Sequence, residues 1–404
     1  MQMKRQKTIL LLLLLLMITP CLMAQKKELS QARSYIKSGK DLEKAEQLMI
    51  GLLKQDPNHR TNERIYLTWF EAVTKQYEAA NEKLYLKQEY DTAAFFNLTR
   101  RLYTIAGTLD TLDAMPDGKG RVKLRYRDDH AKLLDQLRPN LYFGGTYYVR
   151  KEDYRQAYDF LETYLEADKM PLFTNYDYLK KDARMPEAAY WATFAGYKMQ
   201  DAERTLRYRQ LADRDTAKAM FALQYVCEAY RWQNNDAAYV ESLKQGFNRY
   251  PDFAYFFPRL VDYYHANNRP DSALVVAEQA LKTHPDSQLF LLAKSVALLN
   301  LERYDDCIQL SEQLISKNDT LAEAYYNIAT AKLNQALALD QRNQPRIYRT
   351  QIQKLYMDAR PYMEAYRKLA PDEKRKWAPA LYRIYLNLNM GKQFEEIDRV
   401  MKTL

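Results

Sequence analysis

Glycine is scarce in this sequence, with 10 residues in 404. Average proteins contain about 7% glycine. Phosphate-binding loops, the turn that carries the nucleophile of many hydrolases, and tight β-hairpins all depend on glycine. A nucleotide-binding or strand-rich fold is therefore disfavoured. Apolar residues instead recur at three- and four-residue spacing through most of the chain, which predicts helices joined by short polar turns.

Histidine is also scarce, and the four residues lie far apart in the sequence: His59, His130, His265 and His284. Only Asp128-Asp129-His130 resembles a ligand cluster. Consecutive residues point in different directions on a helix, so a solvated helix face is the favoured interpretation. The sequence contains no HExxH, GxSxG, Walker-type or paired-cysteine zinc motif. We therefore predict no enzyme activity, no catalytic residue, no metal site and no cofactor.

The first 24 residues have the pattern of a secretory signal peptide. Three basic residues precede an apolar stretch from Ile9 to Ile18. This stretch is too short for a membrane-spanning helix, which needs about 20 apolar residues. The small residue Ala24 suits a signal peptidase, so cleavage before Gln25 is expected. The sequence thus predicts an exported protein, periplasmic or associated with the outer membrane.

Cys21 gives an alternative to this processing. It could be the lipid-modified first residue of a lipoprotein, which would tether the protein to a membrane. Lipoprotein signals generally have a small residue before the cysteine, whereas Pro20 stands there in this chain. The soluble form is therefore favoured over the anchored one.

The charge of the processed chain is modest. Removing the leader takes away three of 61 basic residues and none of 52 acidic ones, which leaves a net charge of +6. No basic run dominates any segment. For an exported protein this indicates a solvated surface, so no nucleic-acid partner is predicted. Cys227 and Cys307 lie in apolar helical patterns, which predicts packing in the core rather than a disulfide or a reactive thiol.

A repeat of 34 residues runs through the chain. Residues 254–285 align with residues 288–319 at this offset, so that Phe257 corresponds to Leu291 and Val261 to Ser295. The second halves also agree, with Ala273 corresponding to Cys307. A period of this length is typical of stacked helical hairpins.

The residues at fixed places in this repeat resemble the tetratricopeptide repeat (TPR) family. That family has small residues at positions 8 and 20, an aromatic residue at 17, an alanine-like residue at 27 and often proline at 32. Matching residues are Tyr304 at 17, Cys307 at 20, Ala280 at 27 and Pro285 at 32, and another unit has Gly145 at 8 and Ala157 at 20. The resemblance implies an all-α fold, a right-handed α-solenoid of stacked antiparallel helical hairpins.

Five segments are predicted along the chain. They are a signal peptide at 1–24, N-terminal helical hairpins at 25–106, an irregular segment or joint at 107–137, TPR-like repeats at 138–373 and a C-terminal capping hairpin at 374–404. The joint is predicted because the stretch from Met115 to Gly120 is the least helical in the chain.

The resemblance also implies candidate partner-binding residues, because the first helices of TPR units line a groove. The candidates are Tyr142, Phe143, Tyr225, Arg231, Trp232, Tyr255, Arg259 and His265. Tyrosine, tryptophan and arginine often anchor protein interfaces. A protein or peptide partner is therefore expected, and the predicted function is a non-catalytic scaffold of the bacterial cell envelope.

Three alternatives remain open. The candidate tyrosines could pack internally, and an aromatic groove could instead bind carbohydrate or peptidoglycan. The lysine and asparagine set with which some TPR domains clamp a C-terminal carboxylate is not found, since Asn327 is its only lone candidate, so recognition of a chaperone tail is not expected. The pattern of Asp, then Ser or Thr, then an apolar residue resembles bacterial O-glycosylation sites, but such residues also cap helices. It occurs at Asp91-Thr92, Asp110-Thr111, Asp215-Thr216, Asp271-Ser272 and Asp319-Thr320.

Overall fold

The computed structural model describes residues 25–341 and 345–404, and within these ranges the regular structure is helical, with no strand. None of the described helices is both long and apolar enough to cross a membrane. The predicted signal peptide 1–24, its cleavage before Gln25 and the lipidation of Cys21 concern residues outside the described ranges. The described chain falls into two compact units, unit 1 up to Tyr239 and unit 2 from Val240.

Unit 1 begins with α1, which is helical at residues 25–38. The helices that follow are α2 (Leu42–Gln55), α3 (Glu63–Tyr85), α4 (Thr92–Asp113), α5 (Arg127–Leu137), α6 (Pro139–Arg150), α7 (Tyr154–Glu166), α8 (Tyr178–Lys181), α9 (Met185–Lys198), α10 (Ala202–Arg207), α11 (Arg209–Ala212) and α12 (Ala219–Trp232). The division between the units falls within the next helix, α13 (Asp236–Arg249).

Unit 2 continues with α14 (Phe256–Ala266), α15 (Pro270–Thr283), α16 (Gln288–Asn300), α17 (Tyr304–Lys317), α18 (Ala322–Asp340), α19 (Pro345–Leu369), α20 (Lys374–Asn387) and α21 (Gly391–Met401). Each of these helices contacts the next one in the chain, as in a row of helical hairpins. The last two helices contact each other as a helical hairpin, and the capping role of residues 374–404 stays a prediction.

The 34-residue period is visible in the backbone. Gln200, Asn234, Asn268 and Glu302 have positive φ angles of 55°, 53°, 53° and 60°, and each follows the first helix of a hairpin. A residue in this left-handed conformation ends a helix and allows the chain to turn back. The glycine-poor chain uses asparagine, glutamine and glutamate at these turns. The predicted fold class, an all-α TPR-like solenoid, is confirmed.

Small residues bring paired helices close together, as the repeat pattern predicts. A Cβ atom added to Gly145 of α6 would lie 2.5 Å from Cγ of Leu161 in α7. A Cβ atom added to Gly196 of α9 would lie 2.6 Å from the backbone nitrogen of Thr205 in α10. The α9–α10 hairpin therefore packs closely, although Thr205 is not the small residue expected at position 20.

Both predicted core cysteines are buried. Cys227 and Cys307 have no exposed surface, which confirms their packing in the core. In unit 2 the Oγ atom of Ser295 lies 3.5 Å from Sγ of Cys307 and 2.6 Å from Oγ of Ser311. Asn327 donates a hydrogen bond of 3.1 Å to the same Ser295 oxygen and is 2% exposed. Asn327 is therefore part of the core of unit 2.

The predicted irregular segment 107–137 is largely helical. It contains the end of α4 and all of α5, and only residues 114–126 between them are non-helical. We call residues 114–126 the basic loop. Its C-terminal end is held by Arg125, whose guanidinium donates to Asp113 at 3.0 Å and to Glu63 at 2.5 Å. These ion pairs give the loop a defined position on unit 1.

Candidate partner-binding face

Aromatic side chains follow one side of α9 in unit 1. Tyr190, Trp191, Phe194 and Tyr197 are spaced at i, i+1, i+4 and i+7, which places them along one side of a helix. Neighbouring rings are in contact, since the centroid of Trp191 lies 5.0 Å from that of Tyr190 and 5.8 Å from that of Phe194. Helix α9 thus has an aromatic stripe.

The stripe continues onto α12, which packs against α9. The rings of Tyr197 and Tyr225 are stacked with centroids 4.5 Å apart, and Phe194 lies 5.7 Å from Tyr225. Tyr197 is also nearly parallel to Trp232, with 16° between the ring planes and 5.7 Å between the centroids. Such pairs are favourable beyond the area they bury. The ring of Tyr197 therefore contacts both Tyr225 and Trp232, two of the predicted binding residues.

Helix α6 also contacts α9 and adds Tyr142 and Phe143. Arg184, just before α9, lies over both rings, 5.6 Å from the centroid of Tyr142 and 5.3 Å from that of Phe143. Burial, with a further contribution from a hydrogen bond to Glu187, raises the pKa of Tyr142 to about 12. The phenol is therefore neutral over the physiological range.

Glu187 at the start of α9 interacts with both Lys218 and Tyr142. Lys218 donates a hydrogen bond of 3.0 Å to its carboxylate. Burial alone would raise the pKa of Glu187, but the hydrogen bonds from Lys218 and Tyr142 lower it. The carboxylate is therefore ionised at neutral pH and fixes the phenol of Tyr142.

We define the aromatic face by the ring residues of these three helices: Tyr142, Phe143, Tyr190, Trp191, Phe194, Tyr197, Tyr225 and Trp232. Phe143 is 43% exposed, and Trp191, Phe194, Tyr197 and Trp232 are partly exposed. Cations surround the rings. Lys198 lies 5.6 Å from the centroid of Phe194, and Arg231 pairs with Glu228 at 2.5 Å. The face can thus offer large apolar contacts and cationic hydrogen-bond donors to a ligand.

Five of the eight predicted binding residues lie on this side of unit 1, but not all are accessible. Tyr142 and Tyr225 are each 9% exposed, so they mainly support the rings beside them. Phe143, Arg231 and Trp232 reach the surface. Direct contact with a partner stays a prediction for these three residues.

Of the other three predicted residues, Tyr255 directly precedes α14 in unit 2, and Arg259 and His265 lie on it. Tyr255 is 6% exposed, and the guanidinium of Arg259 lies 3.9 Å from the centroid of its ring. His265 forms a hydrogen bond of 3.2 Å with Asn300 through Nδ1, and burial lowers the pKa of His265. In the described part of the chain its Nε2 atom has no hydrogen-bond partner. Arg259 and His265 are partly exposed, whereas Tyr255 packs internally.

The four aromatic residues of α9 are not among the binding residues that the sequence predicts. Residues 186–218 fit the repeat poorly at position 20, so their groove positions were not assigned. The i, i+4, i+7 spacing of Tyr190, Phe194 and Tyr197 is a signal that could have identified them.

The solvated-face interpretation holds for Asp128 and Asp129, which are exposed, but not for the ring of His130, which is partly buried. Its ring packs against Phe70 with centroids 4.3 Å apart and stacks on Tyr126 at 5.9 Å. Burial lowers the pKa of His130. Over residues 25–341 and 345–404, no group of three or more His, Cys, Asp or Glu side chains is placed to hold a metal ion.

Two of the five Asp-Ser/Thr patterns act at helix starts or turns, as the capping interpretation predicts. Asp91 accepts a hydrogen bond from the backbone N–H of Ala94, and Asp215 accepts one from Ala217. Asp110 differs, because it lies in the last turn of α4 as a buried partner of Arg127. These contacts involve the aspartates only, so glycosylation of the neighbouring Ser or Thr stays an alternative at all five patterns.

No protein-family model matches this sequence. No curated protein matches it either. Among solved structures, the C-terminal part of a TPR repeat-containing protein from Cytophaga hutchinsonii is 12% identical over 63% of this chain and 91% of that chain, with a TM-score of 0.43. Yeast Tom70 is 12% identical over 91% of this chain and 89% of its own, with a TM-score of 0.36. The TPR2AB domain of yeast Sti1, solved in complex with pHSP90, is 11% identical over 65% of this chain and 99% of that chain, with a TM-score of 0.23.

Proposed function

We propose that this chain is a non-catalytic scaffold of the bacterial cell envelope and that its aromatic face binds a segment of a protein partner. The observation that carries the proposal is the continuous contact of rings from α9 to α12, with Trp191, Phe194, Tyr197 and Trp232 still partly exposed. Tryptophan, tyrosine and arginine are the residues that most often dominate binding energy at protein interfaces.

The rigidity of the face supports this role. Tyr225 and Tyr142 are buried beneath or beside the exposed rings, and Glu187 and Lys218 hold Tyr142 in place. Side chains that are already ordered lose little conformational entropy when a partner binds. The exposed rings are therefore preorganised for binding a partner.

The location in the envelope is part of the proposal and has its own test. It is supported by the basic and apolar pattern of residues 1–24. We expect the protein isolated from its cells to begin at Gln25, which N-terminal sequencing and intact mass measure. A lipid-modified Cys21 would establish the anchored form, and an uncleaved chain in the cytoplasm would contradict export.

Site-specific crosslinking tests the binding face. The photoreactive residue p-benzoylphenylalanine replaces Phe143 or Trp232 in living cells, and mass spectrometry identifies the adducts. The matched control replaces Tyr85, which is 84% exposed and lies on α3 outside the aromatic face. The proposal requires that Phe143 and Trp232 give the same protein adduct and that Tyr85 does not. Equal adducts at all three positions, or none at the first two, would contradict it.

An affinity measurement with the purified partner then tests the energetics. We expect Trp232→Ala to weaken binding by about 2 kcal/mol, the size typical of an anchoring residue. Tyr85→Ala removes an exposed aromatic ring elsewhere and should leave binding unchanged. A partner that binds the Trp232→Ala variant as tightly as the unaltered chain must use another surface.

Carbohydrate is a second candidate ligand, favoured by the nearly parallel rings of Tyr197 and Trp232. Parallel, partly exposed rings give a flat apolar platform on which a sugar can stack. Retention of peptidoglycan or envelope polysaccharide by the unaltered chain, lost in Trp232→Ala and without any protein adduct at Phe143, would favour this ligand over a protein.

A further inference from the structure

The basic loop, residues 114–126, exposes apolar side chains that are near two unpaired lysines in the sequence. Met115, Val122 and Leu124 are 53%, 54% and 43% exposed. Lys119 and Lys123 lie among them in the sequence and are also exposed. In the part of the chain that the structure describes, neither lysine forms an ion pair. Exposed aliphatic groups are therefore combined with positive charge that the protein does not neutralise.

The loop is held in a defined shape. The Asp117 carboxylate accepts hydrogen bonds from the backbone N–H groups of Lys119 at 2.8 Å and Arg121 at 3.0 Å, and it also pairs with the Arg121 guanidinium at 3.0 Å. At the other end, Arg125 is bound to Asp113 and Glu63. The charges of Arg121 and Arg125 are thus used within the protein. Those of Lys119 and Lys123 remain available to a partner.

We propose that the basic loop is a contact site for an anionic membrane surface, with Met115, Val122 and Leu124 entering the lipid interface and Lys119 and Lys123 binding lipid phosphate groups. Apolar side chains beside lysine are the combination that favours the interface of bilayers containing anionic lipids. A short loop of this kind gives weak, reversible attachment. It requires neither the lipidation of Cys21 nor the aromatic face.

The positive charges of Lys119 and Lys123 complement anionic lipid phosphate groups. The side-chain composition of the loop also favours a membrane over a protein partner. The exposed apolar residues of the loop are aliphatic, whereas protein interfaces are enriched in aromatic residues and depleted in lysine. The aromatic residues of unit 1 are instead gathered on the aromatic face. A protein that contacts the loop is the competing outcome of the test.

Vesicle sedimentation tests the proposal on a chain that starts at Gln25, which keeps every helix described above and leaves out the apolar leader. The probes are vesicles of phosphatidylcholine alone and of phosphatidylcholine mixed with phosphatidylglycerol. We expect binding to the anionic vesicles that decreases with salt. The charge-reversing variant Lys119→Glu/Lys123→Glu should bind them at least about tenfold more weakly.

Two further variants separate specific binding from a general effect of charge. Val122→Ser/Leu124→Ser keeps the charges and should lose several-fold in vesicle binding, because the lipid interface no longer gains apolar contacts. Lys37→Glu/Lys40→Glu makes the same change in net charge at exposed lysines outside the loop and should bind like the unaltered chain. Circular dichroism checks that each variant is folded.

Three results would overturn the proposal. They are no binding of the unaltered chain to anionic vesicles, equal binding by the chain and its Lys119→Glu/Lys123→Glu variant, and unchanged binding by Val122→Ser/Leu124→Ser. A protein adduct formed from a photoreactive residue at Val122, without vesicle binding, would assign the loop to a protein partner instead.

Discussion

The Asp110 carboxylate and the Arg127 guanidinium form a two-point ion pair, with N–O distances of 2.7 and 2.8 Å. Asp110 is 5% exposed and lies in the last turn of α4, and Arg127 begins α5. The pair therefore fixes the position at which the chain re-enters helical structure after the basic loop. A buried charge with two hydrogen bonds to its counter-ion is satisfied, but it depends strongly on that partner.

The first prediction is that Arg127→Ala destabilises unit 1 by about 3 kcal/mol, because the Asp110 charge is left buried without a partner. Urea unfolding followed by tryptophan fluorescence measures this. A Trp377→Phe background is used, so that the remaining tryptophans, Trp69, Trp191 and Trp232, all lie in unit 1.

Arg121→Ala is the matched control for this prediction. Arg121 also pairs with an aspartate, but its side chain is 70% exposed and that of Asp117 is 45% exposed. Water screens such a pair, so no measurable change in the unfolding midpoint is expected. Equal midpoints for the two variants would show that burial of Asp110 has no energetic consequence.

The repeat architecture could be predicted from the sequence because its signals are local. Helix spacing, the prolines and small residues at fixed offsets, and the scarcity of glycine all act within one hairpin. The hairpin containing Gly196 shows the limit of the pattern. There the close approach is made by a glycine of α9 against the backbone of Thr205, and no alignment to position 20 identifies it.

The second prediction concerns this close approach. Gly196→Ala would place a methyl group 2.6 Å from the backbone nitrogen of Thr205, and the backbone must move to relieve it. We expect a loss of about 2 kcal/mol in the free energy of unfolding of unit 1, typical of overpacking. The same fluorescence experiment measures it.

Gly51→Ala provides a control of opposite sign. Gly51 lies within α2, and a Cβ atom added there meets nothing within 4 Å. Alanine has the higher helix propensity, so a gain of about 0.5 to 1 kcal/mol is expected. If both variants are stabilised, helix α9 can move away from α10 without loss, and the close packing is not required.

The candidate site was less predictable, because accessibility depends on neighbours that are distant in the sequence. Tyr225 and Trp232 occupy the same helix, yet Tyr225 is 9% exposed because rings from α9 cover it. Trp232 stays partly exposed beside Tyr197. Periodicity assigns both to first-helix positions, and only the packing of α9 against α12 distinguishes a supporting ring from an exposed one.

The third prediction is that the thiol of Cys307 is unreactive in the folded protein. Burial raises the pKa of Cys307, so the thiolate that reacts with disulfide reagents is disfavoured and inaccessible. In a chain that starts at Gln25 and carries Cys227→Ala, Cys307 is the only cysteine. Labelling with a thiol reagent at pH 8 should occur only at the rate at which unit 2 opens, and it should be immediate in urea. Rapid labelling without denaturant would mean that the Ser295–Cys307 contact is open to solvent.

The fourth prediction is a loss of stability of unit 1 between pH 7 and about pH 5.5, caused in part by His130. Burial against Phe70 lowers the pKa of His130 in the folded protein. The unfolded chain therefore binds the proton more readily, so the stabilisation is complete above the ordinary histidine pKa and decreases as the pH falls below it.

His130→Phe keeps a ring against Phe70 and removes the titrating group. We expect urea midpoints of the unaltered chain to fall between the two pH values more than those of His130→Phe, both in the Trp377→Phe background. Ionisation changes of carboxylates with lowered pKa, such as Glu187 and Asp182, occur at more acidic pH and leave this difference intact. Identical pH dependence in the two chains would show that folding does not change the solvation of the imidazole, and it would contradict the prediction.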